Sequence, residues 1–371
     1  MIQIFPVHDK AQLKSFIDFP HDLYKGDPFY VPELFIAQRD LLSRHPFLKH
    51  SEIQLFLAMD GKKPVGRIAA ILNNNHNRFN DTNEGFFGFL DAVDNIDVFK
   101  VLTDAALAWL KEKGVHSVIG PVNPSTNETC GMLVEGFDSA PMIMMTYNRP
   151  YYNTYMQQLG FGKKTDLLAY LLQRDDLNDK SMRLMESLKQ RLAQKGITIR
   201  KGNLKNFRQE VDGLRKVYNE AWDKNLGFVP MTDEEFDYMA KDMKLVLDPD
   251  FCLVAEHEGK AIGFVLAMPD INQVQRKVKR GRLLPTGIFK LLFGRKKINA
   301  IRIIALGITE PYRKMGIEAV FYGMVMKSGL EKGMQQAEAS WILEDNEMMN
   351  RGIQHINGKV YKKYRLYEKA L

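Results

Sequence analysis

Arg313, Lys314 and Gly316 stand together where an apolar run ends and a helical pattern begins. That combination can hold an anion. The two cations supply charge, the glycine permits a tight turn, and the helix that follows aims its unpaired N–H groups and positive dipole end at the same point. Before the turn, Ile301, Ile303, Ile304, Leu306 and Ile308 form an apolar, β-branched run that predicts a buried strand. Glu310-Pro311 ends it, because proline has no N–H to give a ladder. After Gly316, Ile317, Val320, Phe321, Met324 and Val325 recur at helical spacing until Gly333 stops them.

The elements around this turn belong to a chain of 371 residues, long enough for two domains of ordinary size. Hydrophobic residues make up 45% and charged residues 26%, so a core-forming globular protein is expected. Cys130 and Cys252 are the only cysteines, which argues against a disulfide framework and for a reducing cytoplasm. The first residues, MIQIFPVHDK, have no signal-peptide pattern, and no apolar run is long enough to span a membrane. Nine basic residues and no acid lie between Arg276 and Lys297, so the net charge of +7 less these nine leaves −2 for the rest. Leu283, Leu284, Ile288, Phe289, Leu291, Leu292 and Phe293 sit among those cations. The pattern suits an anionic bilayer surface, a lid over an acyl chain, or an acidic carrier protein. Nucleic acid fits less well, since only two aromatics interleave with the charge.

In order, the sequence predicts a helix from Asp9 to Phe19, an aromatic, proline-rich loop over 23–34, a hairpin 53–72 turning at Asp60-Gly61-Lys62, and a strand at 85–93. A helix capped by Asp97 follows and stops at Gly114. Strands 115–122 and 142–147, a helix 150–159 and a strand 167–173 complete the first half. A polar connector at 174–196 leads to strand 197–201, helices 205–223 and 232–245, and a hairpin 251–268. After the central strand and helix come strand 336–342, helix 346–356 and strand 360–368. The halves echo each other. DGKKPVGRIAAI resembles EGKAIGFVLAM at an offset of 197, while EKGV and EKGM, and Asn127-Glu128 and Asn346-Glu347, match at 219. The difference of 22 is the length of the basic stretch 276–297, which predicts two copies of one fold with an insert in the second.

The turn Arg313-Lys-Met-Gly316-Ile-Glu318 is similar to the R/Q-x-x-G-x-G/A loop of the GNAT acyltransferase superfamily, with Glu318 in place of the small residue. The whole chain, through FPHDLYKGDPFYVPEL, GRIAAILNNNHN, GPVNPSTNETCGMLVEGF and MTYNRPYY, resembles tandem GNAT-like bacterial N-acyltransferases, including those of the bacterial ceramide synthase type. The resemblance implies an α/β fold of two tandem domains, each a mixed, mostly antiparallel sheet flanked by helices. The expected bounds are 1–180 and 190–371, with the insert at 273–298. The first copy has the acidic FLDAVDNID where the second has its basic turn, so the donor site is expected in the second alone.

By that resemblance, the turn residues Arg313, Lys314, Met315, Gly316 and Ile317 hold the pyrophosphate of coenzyme A or an acyl-CoA, and main chain at Leu306 and Ile308 polarises the thioester. Direct attack by an amine needs a base. Glu338 on the next strand is a candidate, as are Glu344 and Asp345 just past its end. The family's tyrosine acid has no counterpart at Ile353, which leaves His355, Tyr361 and Tyr364 as substitutes. Asn127, with Tyr147, Asn148 and Tyr152, suggests a polar acceptor pocket for an amino-alcohol. The activity expected is transfer of an acyl group from a CoA or carrier-protein thioester to an amine, by a cytoplasmic protein that lies on the inner membrane surface; a long-chain sphingoid-type amine would explain the insert. No metal and no nucleic-acid partner is expected. The alternatives are an acetyl-CoA-dependent N-acetyltransferase of a small molecule or protein, and a non-catalytic binding protein.

Overall fold

The computed structural model describes residues 1–176, 179–222, 228–244 and 246–371, without the side chains of 176, 179–181 and 204. The expected helix ends at Asp223 and Leu245, and residues 177–178 of the connector, lie outside the described residues.

Strand β1 (Ile2–Pro6) is followed by helix α1 (Lys10–Leu23), whose start is a reciprocal cap. Asp9 accepts from the Ala11 and Gln12 amides at 2.8 Å each, and Gln12 reaches back to the Asp9 amide at 3.2 Å. Then come α2 (Phe35–Ser43), β2 (Glu52–Asp60), β3 (Lys63–Leu72), α3 (Asn74–Asn80), β4 (Glu84–Ala92) and α4 (Ile96–Glu112). The cap of α4 is Asn95 and not Asp97, which occupies the first turn. Short strands β5 (Ser117–Gly120), β6 (Val122–Asn123), β7 (Thr129–Cys130) and β8 (Met132–Glu135) precede α5 (Tyr151–Gln158). The apolar run 142–147 is no strand: the Met145 amide closes a turn onto Met142 O at 3.0 Å, and Met144 is left-handed at φ 58°.

The chain continues through β9 (Gly162–Gln173), α6 (Asp179–Gln194), β10 (Ile197–Lys201), α7 (Phe207–Ala221), α8 (Asp233–Lys244), β11 (Cys252–His257) and β12 (Lys260–Pro269). In the insert are α9 (Asn272–Gln275) and α10 (Gly287–Gly294). It closes with β13 (Ala300–Ile308), α11 (Ile317–Glu331), β14 (Gln336–Leu343), α12 (Glu347–His355) and β15 (Lys359–Ala370).

Two compact units result, and the division is not the linear one expected. The first takes residues 1–167 together with the insert 272–296 and the segment 362–371; the second takes 168–271 and 297–361. In the first, strands run β1-β2-β3-β4-β5, and β5 pairs antiparallel with the end of β15, Gly120 opposite Tyr367. In the second the order is β10-β11-β12-β13-β14. Both sheets are mostly antiparallel, with one parallel pair each, β4–β5 and β13–β14, joined across α4 and α11. The echo seen in the sequence is thus structural. Ala58 faces Gly66 beside a bulge in the β2–β3 hairpin, and Ala255 faces Gly263 beside a bulge in β11–β12. EKGV and EKGM end α4 and α11. The third match does not extend to structure: Asn346 caps α12, whereas Asn127 lies between β6 and β7 and opens no helix.

Each sheet packs its helix over an apolar core, Phe87, Phe99 and Leu102 in the first unit and Phe251, Phe321 and Val325 in the second. One position tests the first core. A Cβ on Gly88 would lie 1.7 Å from the Val122 carbonyl oxygen, backbone against backbone, so no rotamer change relieves it. Gly88→Ala is expected to destabilise the first unit by about 3 kcal/mol, read as a lowered thermal midpoint.

Candidate active site

The site in the second unit arises where two strands stop being neighbours. β13 and β14 pair in parallel from Ala300↔Gln336 to Ile303↔Ala339 and no further among the described residues, although they run on to Ile308 and Leu343. A bulge on β13 at this point helps to separate them: against β12, Ala305 faces Leu266 and Ile303 faces Ala267, which leaves Ile304 extra. Between the diverging strands lies a cavity of about 540 Å³. Ile304 to Ile308 form one wall and Ser340 to Leu343 another, with Tyr322, Gly323 and Met326 of α11 across from them. Met182, Met185, Met348 and Met349 add apolar surface that adapts its shape.

At one end of the cavity is the basic turn. Gly316 is left-handed at φ 89°, where a side chain would also meet Leu188 at 3.2 Å, and Lys314 is left-handed at φ 64°. Arg313 ties the turn down. Its Nε donates to Ile308 O at 3.1 Å and its Nη2 to Ala221 O at 2.9 Å. Much of its guanidinium therefore serves the fold, and exposed Lys314, which also lines the cavity, is the freer cation. The amides of Ile317, Glu318 and Ala319 have no intrahelical acceptor by helix geometry; the Val320 amide makes its bond to Gly316 O at 3.2 Å. A left-handed glycine, a lysine and an open helix end fit a phosphate group.

Glu318 lines the same cavity from the first turn of α11, and its Oε2 is buried with no hydrogen-bond partner. Burial and then the charge of Glu318 push the Tyr322 phenol well above its ordinary range, so Tyr322 stays protonated. In the sequence Glu318 stands where the resembled loop has a small residue. The structure shows it as a carboxylate with an unused oxygen at the cavity.

The expected base lies elsewhere. Glu338 is fully buried and does not line the cavity. Its Oε1 accepts from Ser340 Oγ at 2.5 Å and is 3.3 Å from Arg302 Nε, while its Oε2 accepts from the Tyr361 hydroxyl. Arg302, 1% exposed, also donates to Ser340 Oγ at 2.9 Å and lies 4.9 Å from the Trp341 ring centroid. Since Arg302 faces Glu338 in the parallel register, this network clamps β13 to β14 just before they part. Glu344 and Asp345 are exposed beyond β14 and off the cavity, His355 lines it from an exposed position, and Tyr364 is buried in the first unit. Of the expected donor residues, Leu306, Ile308, Arg313 and Lys314 line the cavity and Met315, Gly316 and Ile317 do not.

In the first unit, Tyr147, Asn148 and Tyr152 meet around a second cavity of about 120 Å³, and Asn127 is not among its lining residues. Tyr147 donates to both Asp27 oxygens at 3.0 Å, Asn148 accepts from the Leu133 amide at 2.7 Å, and Tyr152 and Tyr24 share a hydrogen bond of 3.0 Å.

No protein-family model matches the chain. It is 35% identical to protein YghO of Escherichia coli (strain K12) over 98% of its own length and 94% of that protein's. To the bacterial ceramide synthase of Caulobacter vibrioides (strain NA1000 / CB15N) it is 34% identical over 100% of its length and 98% of that protein's. Among solved structures it is similar to a tandem GNAT protein from the clavulanic acid biosynthesis pathway, with a TM-score of 0.60, 10% identity and coverage of 100% and 98% of the two chains. A GCN5-related N-acetyltransferase from Sphaerobacter thermophilus matches with a TM-score of 0.51 and 14% identity over 85% of this chain and 80% of that one. Likeness to both relatives from end to end leads to one assignment, with a fold like that of tandem GNAT proteins: the chain belongs to the family that includes protein YghO and the bacterial ceramide synthase.

Proposed function

We propose that this protein transfers a long acyl chain from a thioester to an amphiphilic amine of the sphingoid type. The observation that carries the reading is the cavity itself: about 540 Å³, walled by methionines and aliphatic side chains, with a phosphate-fitting turn at one end and one unpaired carboxylate oxygen. A name such as ceramide synthase on a relative that is 34% identical points the same way. Lys314 and the first amides of α11 would hold the phosphate of the donor, coenzyme A or a carrier-protein arm, and the cavity would take its chain. Glu318 would receive the proton as the amine nitrogen bonds to the thioester carbon. The carbon–sulfur bond then breaks, and the departing thiolate takes up a proton from water. Because Glu318 shares the helix end with the phosphate, a donor with a single phosphate is favoured over one that seats a whole pyrophosphate there.

The insert suits such substrates. Arg280 and Arg282 are spent within the first unit on Asp18 and Asp22, and Arg282 lies 3.5 Å over the Phe35 ring. That root leaves the exposed Arg295 and Lys296 of the insert, with Leu284 and Phe293, which are 78% and 75% exposed, as partners for an anionic membrane surface. No described helix is long and apolar enough to cross a membrane.

The test compares thermal midpoints with coenzyme A, acetyl-CoA and palmitoyl-CoA, since a ligand of the folded state raises the midpoint. Palmitoyl-CoA is expected to give the largest shift, and Lys314→Glu to reduce all three. Glu318→Gln should keep the palmitoyl-CoA shift and lose amide formation with a long-chain amino-alcohol. Equal shifts for all three would favour an acetyltransferase. No shift with any of the three and no amide product would remove free CoA thioesters as donors and leave a carrier-protein donor or a binding protein.

A further inference from the structure

Successive residues of β12 face opposite sides of the second unit's sheet. A Cβ on Gly263 would lie 3.5 Å from the Phe321 ring of α11, while the Phe264 ring is 5.8 Å from that of Trp222, the residue that ends α7. α7 and α11 therefore cover opposite faces. The cavity of about 540 Å³ is lined by Tyr322, Gly323 and Met326 of α11 and also by Ala221 and Trp222. It thus passes through the sheet where β13 and β14 part, and Trp222 stands at its far side.

The strand beside Trp222 offers main chain to that gap. The Thr309 amide donates to Ile262 O of β12 at 2.9 Å, and bonding direction alternates along a strand. Gly307, opposite Phe264, therefore also turns to β12, while Leu306 and Ile308 turn to the gap. Ile308 O is taken by Arg313 Nε at 3.1 Å. The Leu306 amide lies past the last described β13–β14 pair, Ile303 with Ala339, and is placed to polarise a thioester carbonyl.

Gly307 adjoins that amide, and its bare face is covered. A Cβ there would lie 2.1 and 2.5 Å from Cζ3 and Cη2 of Trp222 and 3.1 Å from Ala221 Cβ. The benzene edge of the indole fills the space that a side chain would need. Tyr218, at 4.8 Å between centroids, and Phe264 brace the ring. Arg313 Nη2, bonded to Ala221 O at 2.9 Å, pins the helix end that carries it. Trp222 is half-buried, so it forms the wall between this part of the cavity and solvent.

We propose that Trp222 decides between amine and water at the thioester. The inference rests on the transfer reading above. Water can attack the same carbon as the amine. Its oxygen bonds to the thioester carbon, the carbon–sulfur bond breaks, one proton goes to the departing sulfur, and the fatty acid formed releases the other. A held water needs roughly two to four polar partners, and the indole edge presents carbon. A long-chain amine gains contact with the same ring. Excluding water from a reactive group in this way suppresses its hydrolysis.

The test measures thiol and amide formed with sphinganine from two donors, palmitoyl-CoA and S-palmitoyl-4′-phosphopantetheine, the single-phosphate arm. The parent is expected to release thiol and amide in equal amounts. Trp222→Leu, which keeps an apolar side chain at the helix end, should raise hydrolysis relative to amide about tenfold. Trp222→Ala should do so by more, and Trp222→Phe, which keeps a ring, should restore most of the parent ratio. Thermal midpoints identify the folded variants. A folded Trp222→Leu with the parent ratio, whether or not its overall rate falls, would overturn the inference and leave the transfer reading standing. No thiol and no amide from the parent with either donor would overturn both.

Discussion

Glu338→Ala is expected to destabilise the second unit by about 3–5 kcal/mol, the range for removing one partner of a buried ion pair. Arg302 is 1% exposed and would keep its charge with no carboxylate beside it, and the Tyr361 hydroxyl would lose its acceptor. The readout is the thermal midpoint of the purified protein. Replacing both partners, as Arg302→Met with Glu338→Leu, should restore most of the loss, because the desolvation cost of the charges goes with them. That double variant also separates structure from chemistry. If it recovers the midpoint and still forms amide, Glu338 is a clamp. If it recovers the midpoint and forms none, Glu338 returns as the base and Glu318 loses that role.

Gly352→Phe is expected to leave the fold intact and close the cavity to long chains. Gly352 lies within α12 and lines the cavity, and a Cβ built there meets nothing within 4 Å. Replacing a helix-interior glycine by phenylalanine favours the folded state by up to about 0.5 kcal/mol. A phenyl group in the cavity takes space from an acyl chain, and each methylene excluded forfeits about 0.8 kcal/mol. Four lost methylenes amount to about 3 kcal/mol, roughly a hundredfold in Kd. The measurement is the Kd for palmitoyl-CoA and acetyl-CoA in parent and variant. The first should weaken about a hundredfold and the second hold. Equal weakening of both would show that the chain does not lie in this cavity.

The strand, turn and helix from Ala300 to Glu331 could be read from the sequence because each carries its own local signal: a β-branched run, a proline stop and a glycine that reaches φ 89°. The internal repeat was legible because both hairpins need a glycine at the same place in the register, Gly66 and Gly263. The site was less so. Alternation along β14 says that Glu338 lies on one face, but not that the parallel register brings Arg302 beside it and fills its hydrogen bonds. Glu318 was visible, yet nothing local tells that one of its oxygens is buried without a partner. Residues 142–147 have strand composition and lose it to a turn closed between Met142 and Met145, a choice made by tertiary packing. Above all, the assignment of residues 272–296 and 362–371 to the first unit has no sequence signature at all.

That assignment bears on how the protein is made. The partner of β5 is the end of β15, paired from Tyr367 to Ala370, and β8 pairs with Lys363 to Arg365 of the same strand. During synthesis β5 leaves the ribosome long before these residues exist. Until they emerge, β5 has an open edge, the kind of surface that recruits wrong partners. The first unit to be translated is therefore the last that can be finished. A chain cut short after Tyr361 would contain every residue of the second unit and lack the strand that completes the first.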